Sequence, residues 1–174
     1  MEHETYMKKL DPLPDIYLDM DGVLVDFETP TEKIIGKSLS NNSITDNDWK
    51  IISSKPNFWS DLPWMHDGKI LWDFVKHFSP HILSAYPSED KENAIRGKRK
   101  WIIKNLHYPL HDVHLVERHE KQQYAMNPKT GKPNILIDDY QKNIDEWRKA
   151  GGIPVHHVGA RSTIMKLKEM GYYK

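Results

Sequence analysis

Two aspartates separated by a single residue, Asp19 and Asp21, have the clearest capacity for chemistry in this sequence. They follow Asp15-Ile16-Tyr17-Leu18, a short and mostly apolar run that predicts a strand, and Gly22 comes next. Carboxylates this close raise each other's pKa unless a cation or a proton lies between them. A bound Mg²⁺ would remove that cost and create a site for a phosphate ester. Asp19 could then act as a nucleophile, and Asp21 as a general acid and base.

A second acidic pair, Asp138-Asp139, follows the apolar run Ile135-Leu136-Ile137. By itself such a pair is also typical of a helix N-terminus, where a carboxylate caps the first turn. Ser84 ends another predicted strand, and further polar residues follow the predicted strand over 113–116. Open α/β sheets bind ligands beyond the carboxyl ends of their strands, so we expect these groups to meet at one edge of the sheet.

The elements that would position these groups alternate between strand and helix. Strands are predicted over 15–19, 81–84, 113–116, 135–137 and 153–155, and helices over 28–37, 46–54, 67–78, 88–106, 141–150 and 161–170. This alternation predicts an α/β fold, a Rossmann-like parallel sheet flanked by helices on both faces.

The predicted elements also suggest a division of the chain. Residues 28–79 contain extra helices ahead of the second strand, and we predict that they form a small helical cap over the carboxyl ends of the strands. Residues 15–27 and 80–174 would form the core domain. Residues 1–14 are polar, lack the apolar stretch of a signal peptide, and are predicted to be a flexible leader.

Composition narrows the functional class. The 174 residues fit one domain, and a formal net charge of zero argues against a stable nucleic-acid partner. The sequence contains no cysteine, which excludes disulfides, zinc–thiolate sites and cysteine nucleophiles. The lack of cysteine is compatible with the cytoplasmic location that we expect. We expect no membrane partner, since no stretch approaches the length of a membrane span. The oligomeric state stays open, with a homodimer as one option.

The order of these motifs resembles the haloacid dehalogenase (HAD) superfamily of phosphohydrolases. The order is Asp-x-Asp, then a serine after a strand, then a lysine, then Asp-Asp after a strand. The strongest matches are Asp19-Met20-Asp21-Gly22-Val23-Leu24-Val25-Asp26-Phe27 and Leu136-Ile137-Asp138-Asp139. Softer matches at 57–62 and 82–85 make the sequence most similar, within the superfamily, to 5′(3′)-deoxyribonucleotidases and related 5′-nucleotidase-like proteins.

The resemblance implies roles for the acidic residues. Asp19 would attack phosphorus and become an aspartyl-phosphate. Asp21 would protonate the leaving oxygen and then activate the hydrolytic water. Mg²⁺ would be held by the Asp19 carboxylate, the Asp21 backbone carbonyl and Asp139, with Asp138 reaching the ion through water. The second acidic position that the family has after the Asp pair is Asn143 here, which can still orient neighbours by hydrogen bonds.

The resemblance also implies phosphate-binding groups. Ser84 and the Ala85 amide would hold phosphate oxygens, and one lysine should lie near the phosphate and Asp19. Lys121 fits best because it follows the third strand, and Lys132 is the alternative. Four cations of the long predicted helix are predicted to form a solvated face: Arg96, Lys98, Arg99 and Lys100.

Three aromatic residues, Phe27, Phe58 and Trp59, resemble the side chains that face a nucleobase in these enzymes, although large aromatics also commonly pack in the core. The resulting hypothesis is an Mg²⁺-dependent phosphomonoesterase acting on nucleoside monophosphates. Alternatives with the same fold are a phosphatase or phosphomutase for another small phosphate ester, or a polynucleotide end phosphatase. A receiver-like phosphorylation module also uses acids, a hydroxyl and a lysine around Mg²⁺, but in a different order along the chain.

Overall fold

A computed structural model describes residues 11–173, so residues 1–10 of the predicted leader lie outside the described part. The strands are β1 Ile16–Leu18, β2 His81–Ala85, β3 Val113–Val116, β4 Ile135–Asp138 and β5 Ile153–His156. The α-helices are α1 Glu28–Ile35, α2 Asp46–Ser53, α3 Gly68–Val75, α4 Lys91–Trp101, α5 Gln141–Lys149 and α6 Ala160–Glu169. The predicted α/β fold class is confirmed.

The strands form a parallel sheet in the order β3-β2-β1-β4-β5, with β1 at its centre. The chain runs outward from β1 through β2 to β3 and then returns to β4 on the other side of β1. Leu18 is in register with Ile82 of β2 and with Ile137 of β4. The register brings Asp19 level with Asp138, at the point where the direction of the crossovers reverses and ligands bind in such sheets.

Apolar clusters cover both faces of the sheet. On one face, Ile16 and Leu18 belong to a large core with residues of α3, α4 and α6. On the other, Tyr17 and Leu136 pack with Trp147 of α5 and with residues at the end of the 3₁₀ helix Arg118–Tyr124. Strands buried on both sides are typical of parallel sheets, and this explains the unbroken apolar sequences of β1 and β4.

Elements of residues 28–79, the predicted cap, contact one another and also the core. α1 and α2 contact each other, whereas α3 packs against α6 and so helps to cover the sheet. Ile52, Trp59 and Leu62 join the same core cluster as β1. A capping box at Thr45 fixes the start of α2, since its side chain accepts from the Asp48 amide while the Asp48 carboxylate accepts from the Thr45 amide. The cap and core boundaries stay a prediction.

The long helix predicted over 88–106 is divided in the structure. It begins as the 3₁₀ turn Ser88–Asp90, continues as α4, and ends in the π-helical turn Ile102–Leu106, after which His107 has a positive φ of 50°. The 3₁₀ helix Arg118–Tyr124 was not predicted. Within residues 11–173, no helix combines the length and apolarity needed to cross a bilayer.

Gly97 of α4 lies against the loop before α3. A β-carbon at Gly97 would lie 2.3 Å from the Trp59 β-carbon.

Alanine normally stabilises a helix interior by up to about 1 kcal/mol relative to glycine. Here we expect the reverse, because the Gly97→Ala methyl group overpacks the core and lowers the free energy of unfolding by about 1–3 kcal/mol. Urea denaturation measures the change, with the exposed Arg99→Ala as a control within about 0.5 kcal/mol of wild type. An equal or higher stability of Gly97→Ala would contradict this packing.

Candidate active site

Three carboxylates meet at the carboxyl ends of β1 and β4. Oxygens of Asp19, Asp138 and Asp139 all lie within 4.8 Å of one another. Asp19 follows β1 directly, and its backbone amide donates to the Ile137 carbonyl at 3.0 Å, which ties the two strand ends together. The convergence of residues more than a hundred positions apart follows from the parallel pairing of β1 with β4.

Lys121 is the counter-charge of this carboxylate cluster. Its Nζ donates to Asp19 Oδ1 and to Asp138 Oδ2, both at 2.8 Å, and its side chain is only 3% exposed. The structure therefore brings the preferred lysine of the sequence analysis to Asp19. Lys132, the alternative, lies at the surface and pairs with Asp11 at 3.1 Å.

Arg118 fixes the short helix that carries Lys121. Its guanidinium donates to Glu146 at 2.8 and 3.2 Å in a two-pronged contact, and to Asn143 Oδ1 at 3.0 Å. Both partners lie on α5. Bidentate arginine–carboxylate pairs restrict orientation as well as distance, so this contact docks the 3₁₀ helix onto α5.

Asp138 is fully buried, and hydrogen bonds hold both of its carboxylate oxygens. Oδ1 accepts from the Tyr140 amide at 2.9 Å, and Oδ2 accepts from Asn143 Nδ2 at 3.0 Å in addition to Lys121. Asn143 thus orients its neighbours by hydrogen bonds, as its position after the Asp pair predicted. A carboxylate with this many donors is suited to fixing Lys121 and to supporting a ligand through water.

Burial and neighbouring negative charge raise the pKa values of Asp19 and Asp139. Burial raises the pKa of Asp19 well above its usual range, and the Asp138 carboxylate raises it further, while Lys121 opposes the shift. Burial and then Asp138 raise the pKa of Asp139 from 3.8 to about 6. Burial works against the charged form of Lys121, but Asp19 and Asp138 outweigh it, so its pKa is raised. The single positive charge of Lys121 does not balance the three carboxylates of the cluster.

This donor set fits a magnesium ion. Three carboxylates face one ammonium group, which leaves two negative charges to be balanced by a hard divalent cation with oxygen ligands. Asp19 and Asp139 have oxygens that Lys121 does not occupy. Gly22 makes room for Asp139: its φ is +79°, and a β-carbon there would lie 2.0 Å from Asp139 Oδ2. A glycine is required at this position for both reasons.

Asp21, Ser84 and Lys98 form a second cluster. Lys98 Nζ donates to Asp21 Oδ2 at 2.7 Å and to Ser84 Oγ at 2.9 Å. The prediction that Lys98 belongs to a solvated face is wrong, because its side chain is 2% exposed. The sequence did contain a sign of this, since Lys98 falls at helical spacing between the buried Ala94 and Trp101. Ala85 completes β2 next to Ser84.

The three predicted base-facing aromatics have different positions. Trp59 is only 4% exposed, stacks with Phe27 at 5.3 Å and with Trp49 at 6.5 Å, and donates from Nε1 to Asp90. A ring this buried has no face for a nucleobase, so its predicted role is corrected to packing. Phe58 is half-buried and contacts both Phe27 and Trp59 edge-on.

Phe27 borders an open cavity beside the carboxylate cluster. The cavity has a volume of about 460 Å³ and is lined by Gly22, Asp26, Phe27, Glu28, Thr29, Glu32, Met65, His66 and Asp139. Two of these acids have structural partners, since Asp26 accepts from the Thr29 amide and Glu32 accepts from the Leu39 amide. The cavity gives a small molecule access to Asp139 from the side of α1.

The sequence matches no protein-family model and shows no significant similarity to a curated protein. Solved structures do resemble the fold. A hydrolase from Streptococcus pneumoniae TIGR4 superimposes with a TM-score of 0.54 at 11% identity, over 90% of this chain and 98% of that one. A HAD hydrolase of family IA, variant 3, from Entamoeba histolytica HM-1:IMSS gives 0.50 at 15% identity, over 92% and 90%. A candidate beta-phosphoglucomutase from Thermotoga maritima gives 0.52 at 15% identity, over 90% and 99%. The chain shares the fold of HAD hydrolases.

Asp139 should make the stability of the metal-free protein depend on pH. A folded-state pKa of about 6, raised from 3.8, means that the folded protein holds this proton more tightly than the unfolded chain does. The free energy of unfolding should therefore fall as pH rises between these values. Asp139→Asn should exceed wild type by about 1 kcal/mol above pH 7, after allowance for solvent screening, and equal it near pH 3.5. Denaturation in EDTA across this range measures the difference. A variant less stable than wild type at neutral pH would contradict the raised pKa.

Replacement of each candidate lysine should separate their roles. Lys121→Met leaves Asp19 and Asp138 buried without their counter-charge, and we expect the free energy of unfolding at pH 7 to fall by about 3–5 kcal/mol. Lys132→Met removes only an exposed pair and should change it by less than about 0.5 kcal/mol. Urea denaturation of both variants checks this, and equal effects would show that Lys121 does not neutralise the cluster.

Proposed function

We propose that this protein is an Mg²⁺-dependent phosphomonoesterase that works through an aspartyl-phosphate, and that (deoxy)nucleoside monophosphates are its substrates. The observation that carries this proposal is the position of Asp19. It lies at the end of the central strand, within 4.8 Å of two further carboxylates, with one buried lysine against it. Phosphoryl transfer to an aspartate uses all of these groups: a nucleophile, carboxylates for a metal ion and a fixed positive charge.

Asp19 and Asp139 would hold the ion directly, together with the Asp21 carbonyl, and Asp138 would support it through water. When bound, Mg²⁺ supplies positive charge that draws the substrate phosphate to Asp19 and stabilises charge on its oxygens. Lys121 adds a fixed positive charge on the same side as Asp19.

In the first step, an Asp19 carboxylate oxygen forms a bond to phosphorus while the ester P–O bond breaks. The electron pair of that bond goes to the leaving oxygen, which takes a proton from Asp21. The products are the alcohol and the Asp19 acyl phosphate. Asp21 is suited to this role because its Oδ1 is buried without a hydrogen-bond partner among the described residues, while Oδ2 is held by Lys98.

In the second step, a water oxygen attacks phosphorus and returns its proton to Asp21. The bond between phosphorus and the Asp19 oxygen breaks, and inorganic phosphate leaves. Splitting the reaction in this way replaces one difficult displacement by two easier ones. Ser84 and the Ala85 amide would hold the non-reacting phosphate oxygens through both steps.

The cavity beside Asp139 supports a small leaving group. Its volume of about 460 Å³ matches a nucleoside better than a long polymer, and Phe27 offers an aromatic edge to a base. The polar lining also suits the hydroxyl groups of a sugar. We therefore keep a second candidate, a sugar-phosphate phosphatase or phosphomutase, which would use the same Asp19 chemistry with a different leaving group or acceptor.

The proposal predicts Mg²⁺-dependent release of phosphate from a panel of nucleoside monophosphates and sugar phosphates. Asp19→Asn should reduce the rate by at least about 10⁴-fold, because the amide is not a nucleophile, while the circular dichroism spectrum stays that of wild type. Asp61→Asn, at an exposed aspartate outside the site, is the matched control and should keep full activity.

Steady turnover over many equivalents of substrate separates an enzyme from a receiver-like module, which would be labelled once. Turnover of sugar phosphates but not of nucleoside monophosphates would select the second candidate. Undiminished activity of Asp19→Asn would overturn the assigned nucleophile.

A further inference from the structure

We propose that Lys98 is a positioning residue that aims one chosen oxygen of Asp21 at the leaving group and directs the Ser84 hydroxyl toward the phosphate. The inference rests on the proposed function and adds a part to it. The proposed catalytic steps leave Lys98 without a role, since Lys121 already supplies the cation beside Asp19.

The burial of Lys98 is the first argument. A lysine that is 2% exposed has lost its hydration and requires oxygen acceptors from the protein for its ammonium protons. One of these acceptors is Asp21 Oδ2 at 2.7 Å, reached across 77 positions of sequence. Because this oxygen is occupied, the orientation of the Asp21 carboxylate is fixed. Asp21 Oδ1 is buried, and among the described residues it has no donor. An acceptor left without a donor two residues from Asp19 is the oxygen available to exchange a proton with the leaving group.

Ser84 is the second hydrogen-bond partner of Lys98. Lys98 has only protons to donate, so at 2.9 Å the Ser84 oxygen is the acceptor. The Ser84 hydroxyl proton is therefore left to donate elsewhere, and a phosphate oxygen is an acceptor of the kind that this position requires. A single ammonium group thus sets the orientation of the acid and base and of a phosphate-binding hydroxyl together.

The surroundings of Lys98 keep it in place. Its Nζ lies 5.3 Å from the centre of the Trp59 ring, close enough for a cation–π contact. Trp59 is itself anchored, since Nε1 donates to the buried Asp90 at 2.8 Å and its β-carbon packs against Gly97. Trp59 therefore serves as the wall behind Lys98 rather than as a surface for a base. A supporting side chain locked by packing is what keeps a catalytic group within the narrow geometry that proton transfer needs.

Leaving groups of different basicity test this role. An alkoxide such as the 5′ oxygen of a nucleoside needs a proton as it leaves, whereas p-nitrophenolate leaves without one. We expect Lys98→Met to lower kcat/KM for a nucleoside monophosphate by about 100-fold or more, and for p-nitrophenyl phosphate by less than about 10-fold. The quantity kcat/KM is compared because it reports the step in which the ester bond breaks. Asp21→Asn should show the same inequality, and in Lys98→Met/Asp21→Asn the two losses should not add.

Lys100→Met is the matched control. Lys100 lies on the exposed side of the same helix, and this variant should keep wild-type rates on both substrates. If circular dichroism shows that Lys98→Met does not fold, Lys98→Arg is assayed on the two substrates in its place. Arginine keeps the charge but moves the donors, so activity on the nucleoside monophosphate should again fall more than activity on p-nitrophenyl phosphate.

The outcomes separate this proposal from the proposed function. Equal losses on the two esters, or no loss on either, in a wild-type protein that turns over both, would overturn the role of Lys98 and leave the phosphatase assignment intact. A wild-type protein that releases phosphate from no ester in the presence of Mg²⁺ would overturn the proposed function, and the role of Lys98 with it.

Discussion

The structure of the site depends on one buried ammonium group between two carboxylates. Lys121 lies against Asp19 and Asp138 at 2.8 Å each, and its side chain is only 3% exposed. This cation opposes the rise in the pKa of Asp19 that burial and the neighbouring Asp138 carboxylate cause. With it, three carboxylates still face one ammonium group, and burial followed by the charge of Asp138 keeps the pKa values of Asp19 and Asp139 raised. Three carboxylates around one ammonium group are a donor set that a divalent cation would fit.

The sheet and its flanking elements serve this interaction. Parallel pairing of β1 and β4 brings Asp19 and Asp138 level. The 3₁₀ helix, clamped to α5 by Arg118 and Glu146, brings Lys121 across the sheet edge. A separate clamp on the opposite face, built from Lys98 and Trp59, holds the groups of Asp21 and Ser84. The two lysines thus come from opposite faces of the sheet and hold different members of the acidic set.

The sequence predicted the strand ends well because polar groups there directly follow apolar runs. Asp19, Ser84 and Asp138 could be placed at one edge from the order of strands alone. The positions of the lysines were harder to predict, because a lysine side chain is long and its ammonium group lies wherever the supporting helix or loop places it. Lys121 sits on a short helix with no strong pattern, so sequence order could not exclude Lys132. Lys98 was hidden in a basic run, although its spacing from Ala94 and Trp101 marks the buried side of α4. Trp59 suits base stacking and core packing equally, and only its contacts distinguish them.

The proposed active site requires Asp19 and Asp139 to bind the same divalent ion. A crystal structure with Mn²⁺ in place of Mg²⁺, with anomalous diffraction to locate the metal, tests this most directly. The account predicts a single strong peak bound by carboxylate oxygens of Asp19 and Asp139, next to Gly22 and on the open side of Lys121. A peak at the group formed by Glu117, His119 and Glu120 with none beside Asp19, or no bound metal at saturating Mn²⁺, would contradict it.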